Sequence, residues 1–168
     1  MSAEITNIVV AGLGGQGVLT ATDLLAEALL RAGHDVKKSE VHGMAQRGGS
    51  VQSDVRFGPR VHSPMVPAGQ ADFLVALAAD QIEVTRHLLK PGGLILAPEL
   101  IPLAALPHRR TLNVALIGAL SHHLDVAEAH WLAALRDGFR EDLWRANEQA
   151  FQLGRAAAGN PFRPALRL

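Results

Sequence analysis

Two stretches of this chain carry residue types that could do chemistry. The first is Gly12-Leu13-Gly14-Gly15-Gln16-Gly17, in which Gly12, Gly14 and Gly17 have the G-x-G-x-x-G spacing and Gly15 and Gln16 fill the gap. Where such a loop ends a strand and opens a helix, unpaired N–H groups and the positive end of the helix dipole face outward. With no Cβ in the way, a phosphate or carboxylate can come close. The spacing alone is a weak signal. Ordinary nicotinamide binding also wants an acidic residue about twenty positions beyond the loop, to hold the ribose. The acid that ends the next strand, Glu40, lies farther on, and His42-Gly43-Met44 follows it. The second stretch runs from His42 to Ser50. In it Arg47 is followed by Gly48 and Gly49, so the backbone can bend sharply while a guanidinium fork reaches a carboxylate or phosphate. Gln46 and Ser50 flank that turn. His42 could titrate or donate a hydrogen bond. A turn-capping His42 and an Arg47–Glu40 ion pair are the purely structural alternatives.

Other chemistries find less support. There is no cysteine, hence no disulfide, no thiolate nucleophile and no thiolate-held iron–sulfur cluster on this chain. His122 and His123 are adjacent, and neighbours on a helix point about 100° apart, so they make a poor shared metal site. No metal site and no catalytic side chain is assigned. Asp23, Glu27 and Arg31, like Asp80, Glu83 and Arg86, read as exposed helical stripes. Trp131 and Trp144 suit packing between the last helices or against a partner.

The elements that must position the two loops follow from periodicity. Residues 5–11 are β-branched and apolar, like a buried strand. Val18, Ala21, Leu25, Ala28 and Ala32 then share one helical face, and Gly33 sits at the expected stop. Residues 35–41 form a second strand, which completes a βαβ signature. Both loops should therefore lie at the carboxyl edge of the sheet, where ligands bind. Residues 50–57 alternate, and residues 61–66 are expected to return as their hairpin partner after Gly58-Pro59. Further strands are expected over 72–78 and 94–97. Helices are expected over 81–89 (stopped by Pro91-Gly92-Gly93), 114–122, 127–137 and 141–158. The sum is a single Rossmann-like α/β domain over residues 1–158, its mainly parallel sheet flanked by helices, with a small β-hairpin excursion. An irregular tail occupies 159–168.

Composition agrees. Hydrophobic residues make up 48% and charged residues 19%, which supports a packed core. Sixteen basic and sixteen acidic side chains cancel, so nothing favours nucleic acid or an anionic membrane surface as partner. No apolar run reaches the ~20 residues of a membrane span. Met1-Ser2-Ala3-Glu4 lacks the basic start of a secretory signal, so a cytoplasmic location is expected.

Gly12-Leu13-Gly14-Gly15-Gln16-Gly17-Val18, followed by Ser39-Glu40-Val41-His42-Gly43-Met44-Ala45-Gln46-Arg47-Gly48-Gly49-Ser50-Val51, resembles the gamma-type domain of 2-oxoacid:ferredoxin oxidoreductases. The His-Gly-Met-Ala-Gln-Arg-Gly-Gly string is most similar to the small (beta) subunit of the indolepyruvate type. Ser63-Pro64, Gly69-Gln70-Ala71-Asp72, Leu89-Lys90-Pro91-Gly92-Gly93, Asn113-Val114 and the Asn147, Ala150-Phe151, Gly154 series agree in order. The chain is shorter than that family's pattern between Leu96 and Asn113. The resemblance implies a subunit that is inactive alone. Its large partner would carry thiamine diphosphate and [4Fe-4S] clusters, oxidatively decarboxylate arylpyruvates and pass electrons to ferredoxin, and coenzyme A would take the acyl group at the subunit interface. It further implies that Gly12, Gly14, Gly15, Gln16, Gly17, Gln46, Arg47, Gly48, Gly49 and Ser50 face coenzyme A or the partner. The residues leave two other readings open: a stand-alone Rossmann-type nucleotide-binding module or dehydrogenase, and a scaffold whose glycine loops touch only protein.

Overall fold

The computed structural model describes residues 4–42 and 48–168. Strand β1 (Thr6–Leu13) is the centre of the sheet, because its β-branched run is apolar on both faces; Ile8, Val9 and Val10 are wholly buried. It leads through the glycine loop into α1 (Val18–Arg31), then β2 (Asp35–His42) and β3 (Ser50–Gly58). After these come β4 (Ala71–Ala76), α2 (Asp80–Thr85), β5 (Leu89–Leu96), α3 (Leu112–Ser121), α4 (Glu128–Gly138), α5 (Glu141–Ala158) and β6 (Leu166–Arg167).

The sheet order is β2-β3-β1-β4-β5-β6. β1, β4 and β5 pair in parallel, while β3 is antiparallel to both β1 and β2, and β6 to β5. The domain is thus the expected α/β type, with a mixed sheet in which β1, β2, β4 and β5 share one direction. The hairpin excursion is also present, but it joins β2 to β3 instead of pairing 50–57 with 61–66. Burial explains the arrangement. A strand beside β1 must bury side chains, and β3 does so with Ser53, Val55 and Phe57 facing the helices. β2, reading DVKKSEVH, is charged on both faces and suits only an edge. Residues 61–66 form no strand. Carboxylates and a guanidinium hold them instead: Val61 N donates to Asp35 Oδ2 (2.7 Å), Val66 N to Asp54 Oδ2 (2.9 Å), and Arg56 Nη1 to the Ser63 carbonyl (2.9 Å).

The bond from Val61 and the neighbouring Lys37 ammonium hold the Asp35 carboxyl below its ordinary value. A depressed carboxylate contributes stability above its unfolded pKa and loses it as pH falls through the folded one. Asp35→Asn should therefore destabilise the protein at neutral pH. The gap from the parent should be largest at neutral pH and should shrink in acid, closing only below the folded pKa, where both carry a neutral side chain. Urea unfolding at neutral and at acidic pH checks this, and a gap independent of pH would contradict it.

Two other expectations change. Pro91-Gly92-Gly93 does not stop a helix, since α2 ends at Thr85 and a 3₁₀ turn, Arg86–Leu88, leads directly into β5. The trio lies inside that strand, where the pairing jumps from Ala71↔Leu89 to Phe73↔Leu94 and Gly92 has φ +77°. A bulge of this kind tolerates the missing proline N–H. The expected irregular tail also contributes β6, which pairs with Leu94 and Ile95.

The main core lies between the sheet and α1, α3, α4 and α5, and a smaller one lies on the other face beneath α2 and Val66. α3 is apolar all round and almost wholly buried. Trp131 is completely buried against Phe151, while Trp144 Nε1 donates to the carbonyls of Arg136 (2.9 Å) and Phe139 (2.7 Å), closing the end of α4. Among the described residues, no helix is long and apolar enough to cross a membrane.

Candidate functional site

The shared direction of β1 and β2 brings their following loops to one edge of the sheet, and there the loops touch. Gly14 N donates to the Gly49 carbonyl at 2.9 Å, and a Cβ on Gly14 would come within 3.4 Å of Gly48 N. Gly48 turns with φ +67°, and Ser50 pairs with Leu13 at the head of β3. Gln46 and Arg47, with residues 43–45, lie outside the described residues.

Within the first loop each position has a distinct task. A Cβ on Gly12 would meet Val18 Cγ2 at 2.9 Å, so this glycine lets α1 pack close to its strand. Gly15 adopts φ +88° and stands in open space. Gln16, a residue that lines the cleft, folds back so that its Oε1 accepts from Leu13 N (2.7 Å). Gly17 is the N-cap of α1 with φ +82°, and no side chain caps the helix there. The Gly17 carbonyl accepts from Ala21 N and from Asn113 Nδ2 (3.1 Å). A Cβ on Gly17 would lie 2.4 Å from that Nδ2, so the beginnings of α1 and α3 meet only because residue 17 is glycine.

A cleft of about 810 Å³ opens beside this junction. Gly15, Gln16, Gly17 and Thr20 form one wall, and residues 107–113 form the other. Leu77, Phe139, Leu143 and Ala146 supply apolar surface. His108 caps the 3₁₀ turn that opens the second wall, its Nδ1 accepting from Arg110 N (3.1 Å). Arg109 and Arg110 are exposed on the rim, and neither pairs with a carboxylate among the described residues. Among the described residues no acidic side chain lines the cleft. Asn147, only 6% exposed, also lines it. Its Nδ2 donates to the Leu143 carbonyl, while its Oδ1 accepts nothing among the described residues. In a chain of zero formal charge, this concentration of amides and guanidinium groups favours an anion.

Sequence reading missed the second wall. The available signal was a pair of arginines between a proline and an apolar helix with no acid nearby. Glu40, weighed as a ribose ligand, instead pairs with Lys38 (3.1 Å) and faces His42 Nε2 (3.7 Å). Because β3 intervenes, the end of β2 is two strands from β1, roughly 10 Å, which removes the acid from the position a dinucleotide ribose needs.

The model of the family described as pyruvate ferredoxin/flavodoxin oxidoreductase matches residues 7–157. The chain belongs to that family. Its relatives include the indolepyruvate oxidoreductase subunit IorB of Thermococcus kodakarensis, 54% identical over 91 residues, which are 53% of this chain and 44% of that protein. IorB of Archaeoglobus fulgidus is 48% identical over 91 residues, 54% of this chain and 45% of that protein. The matched stretch thus spans under half the length of these curated relatives. A gamma subunit of a keto/oxoacid ferredoxin oxidoreductase from Geobacter sulfurreducens superposes with a TM-score of 0.78 at 25% identity, covering 91% of this chain and 98% of its own. The 2-oxoglutarate:ferredoxin oxidoreductase of Magnetococcus marinus, solved with 2-oxoglutarate, coenzyme A and succinyl-CoA, gives 0.80 at 24% identity. It covers 98% of this chain and 34% of its own, a likeness of fold. In this member of the family the glycine loop is set in a mixed sheet, and the cleft lies between two helix starts.

Proposed function

We propose that this chain is the small component of an indolepyruvate-type 2-oxoacid:ferredoxin oxidoreductase, working in the cytoplasm, and that its glycine-loop edge faces coenzyme A. The observation that carries this reading is the cleft beside the Gly14–Gly49 contact, which among the described residues has no acidic lining, an uncapped helix start on one side and two arginines without carboxylate partners on the other. A thiol carrier with a phosphate-rich end and a long uncharged arm matches a cleft that is basic at its rim and apolar inside.

The labour is divided. The large partner supplies thiamine diphosphate for decarboxylation and [4Fe-4S] clusters for electron transfer to ferredoxin, and the absence of cysteine here suits that division. This chain contributes no nucleophile. Its backbone amides around residues 15–18 and its arginines bind and orient the acyl acceptor, and Gln16 keeps the loop in shape from within. The purified chain alone should show no turnover of arylpyruvates, and activity should appear on mixing with the cluster-bearing partner. Turnover by the isolated chain would overturn the assignment.

Arg47, placed in this site by its motif, gives a second arm. Arg47→Ala should raise the apparent Michaelis constant for coenzyme A about tenfold or more with assembly intact. A pure scaffold would instead assemble less well, with unchanged coenzyme A dependence in the complex that remains. A stand-alone dehydrogenase would bind NAD(P) in calorimetry without a partner.

A further inference from the structure

The cleft has two separate positive poles, and they differ in kind. One is a set of main-chain amides at the uncapped start of α1, reached through Gly15 and Gly17. The other is the Arg109–Arg110 pair on the facing wall, presented by the short turn that His108 caps. Apolar surface from Leu77 and Phe139 lies in the same cleft, and Oδ1 of the mostly buried Asn147, which lines it, has no partner among the described residues. A ligand with one charged group would satisfy only one pole. Amides at a helix start suit a diphosphate, whose charge is spread over bridging groups. Two guanidinium forks suit a terminal phosphomonoester, which is close to dianionic and offers three equivalent oxygens.

Resting on the coenzyme A reading above, we propose that Arg109 and Arg110 form a subsite for the 3′-phosphate of the ligand and set the preference for coenzyme A over its 3′-dephospho form. The α1 start takes the diphosphate. Asn147 Oδ1, on a side chain that is 6% exposed and lines the cleft, is left for a donor on the uncharged part of the ligand. The arginines discriminate because a phosphate that is absent leaves both guanidinium groups without a counter-charge.

The test uses the assembled complex, with calorimetric dissociation constants and steady-state Michaelis constants measured for coenzyme A and for 3′-dephospho-coenzyme A. The parent should bind coenzyme A about 10- to 100-fold more tightly. Arg109→Ala/Arg110→Ala should erase that preference, weakening coenzyme A by the same factor and leaving the dephospho form within about twofold. Arg109→Lys/Arg110→Lys should restore part of it. An unchanged circular dichroism spectrum shows that the fold is retained. Equal weakening of both thiols, or no weakening of either, overturns the subsite. A parent complex that binds coenzyme A without preferring it to the dephospho form also overturns the subsite while leaving the wider reading intact. A parent complex that binds neither thiol removes both.

Discussion

Gly154→Ala should destabilise the protein by roughly 3 kcal/mol or more, lowering its melting temperature by roughly 10 °C. The sign is diagnostic, because glycine to alanine in a helix interior ordinarily stabilises by up to about 1 kcal/mol. Here a Cβ would lie 1.7 Å from the Ala115 carbonyl oxygen and 2.6 Å from its carbon. The contact is reciprocal: a Cβ on Gly118 would lie 2.0 Å from the Phe151 carbonyl oxygen. α3 and α5 therefore touch backbone to backbone, and no side-chain rotation can relieve an added methyl group. α3 cannot retreat, since its residues from Asn113 to Ser121 are buried, and α5 cannot withdraw without opening the Trp131–Phe151 packing. Gly138→Ala is the control, as a Cβ there meets nothing within 4 Å and the backbone has no positive φ. Thermal and urea unfolding followed by circular dichroism read the difference. A Gly154→Ala protein as stable as the parent would show that the two helices are not in backbone contact.

Gly17→Ala should lower stability by about 2 kcal/mol and weaken coenzyme A binding at least about tenfold in the assembled complex. Left-handed backbone costs a non-glycine residue about 1–2 kcal/mol, and the Cβ would also press on Asn113 Nδ2 and break its bond to the Gly17 carbonyl. That displacement moves the starts of α1 and α3 apart, and with them the two walls of the cleft. Gly15→Ala separates the causes. Its φ of +88° carries a similar conformational cost, but its Cβ would meet nothing. It should lose about 1 kcal/mol with little change in ligand affinity. Equal effects of the two substitutions would mean that the α1–α3 junction has no part in shaping the cleft.

The prominence of Gly17 in these expectations comes from two sources, one local and one distant. Its place in the loop and the need for an unhindered helix start were legible from the strand, glycine and helix pattern of residues 5–32. Its contact with Asn113 was not, because that residue is 96 positions away and nothing in either neighbourhood announces the other. Arg109 and Arg110 stayed unread for the same cause: their partners in the cleft are supplied by α1 and α5. The strand expected over 35–41 formed, as β2, because it is bounded by turn residues, and the helix over 141–158 formed with the expected ends. The hairpin partner of 50–57 was misjudged. Alternation shows that a strand has two unlike faces, not which strand lies beside it.

Period and turn chemistry act between near neighbours, so this amino-acid string was enough to specify an α/β domain, the start of α1 at a glycine loop, and the family resemblance carried by the motif around Arg47. Insertion of β3 between β2 and β1, the bulge at residues 91–93, the backbone contact of Gly154 with Ala115 and the facing of Arg109 and Arg110 toward Gly17 arise from competition for buried surface across the whole chain. A charged strand is driven to the edge and an apolar helix to the middle. That competition is settled only when all the elements pack at once.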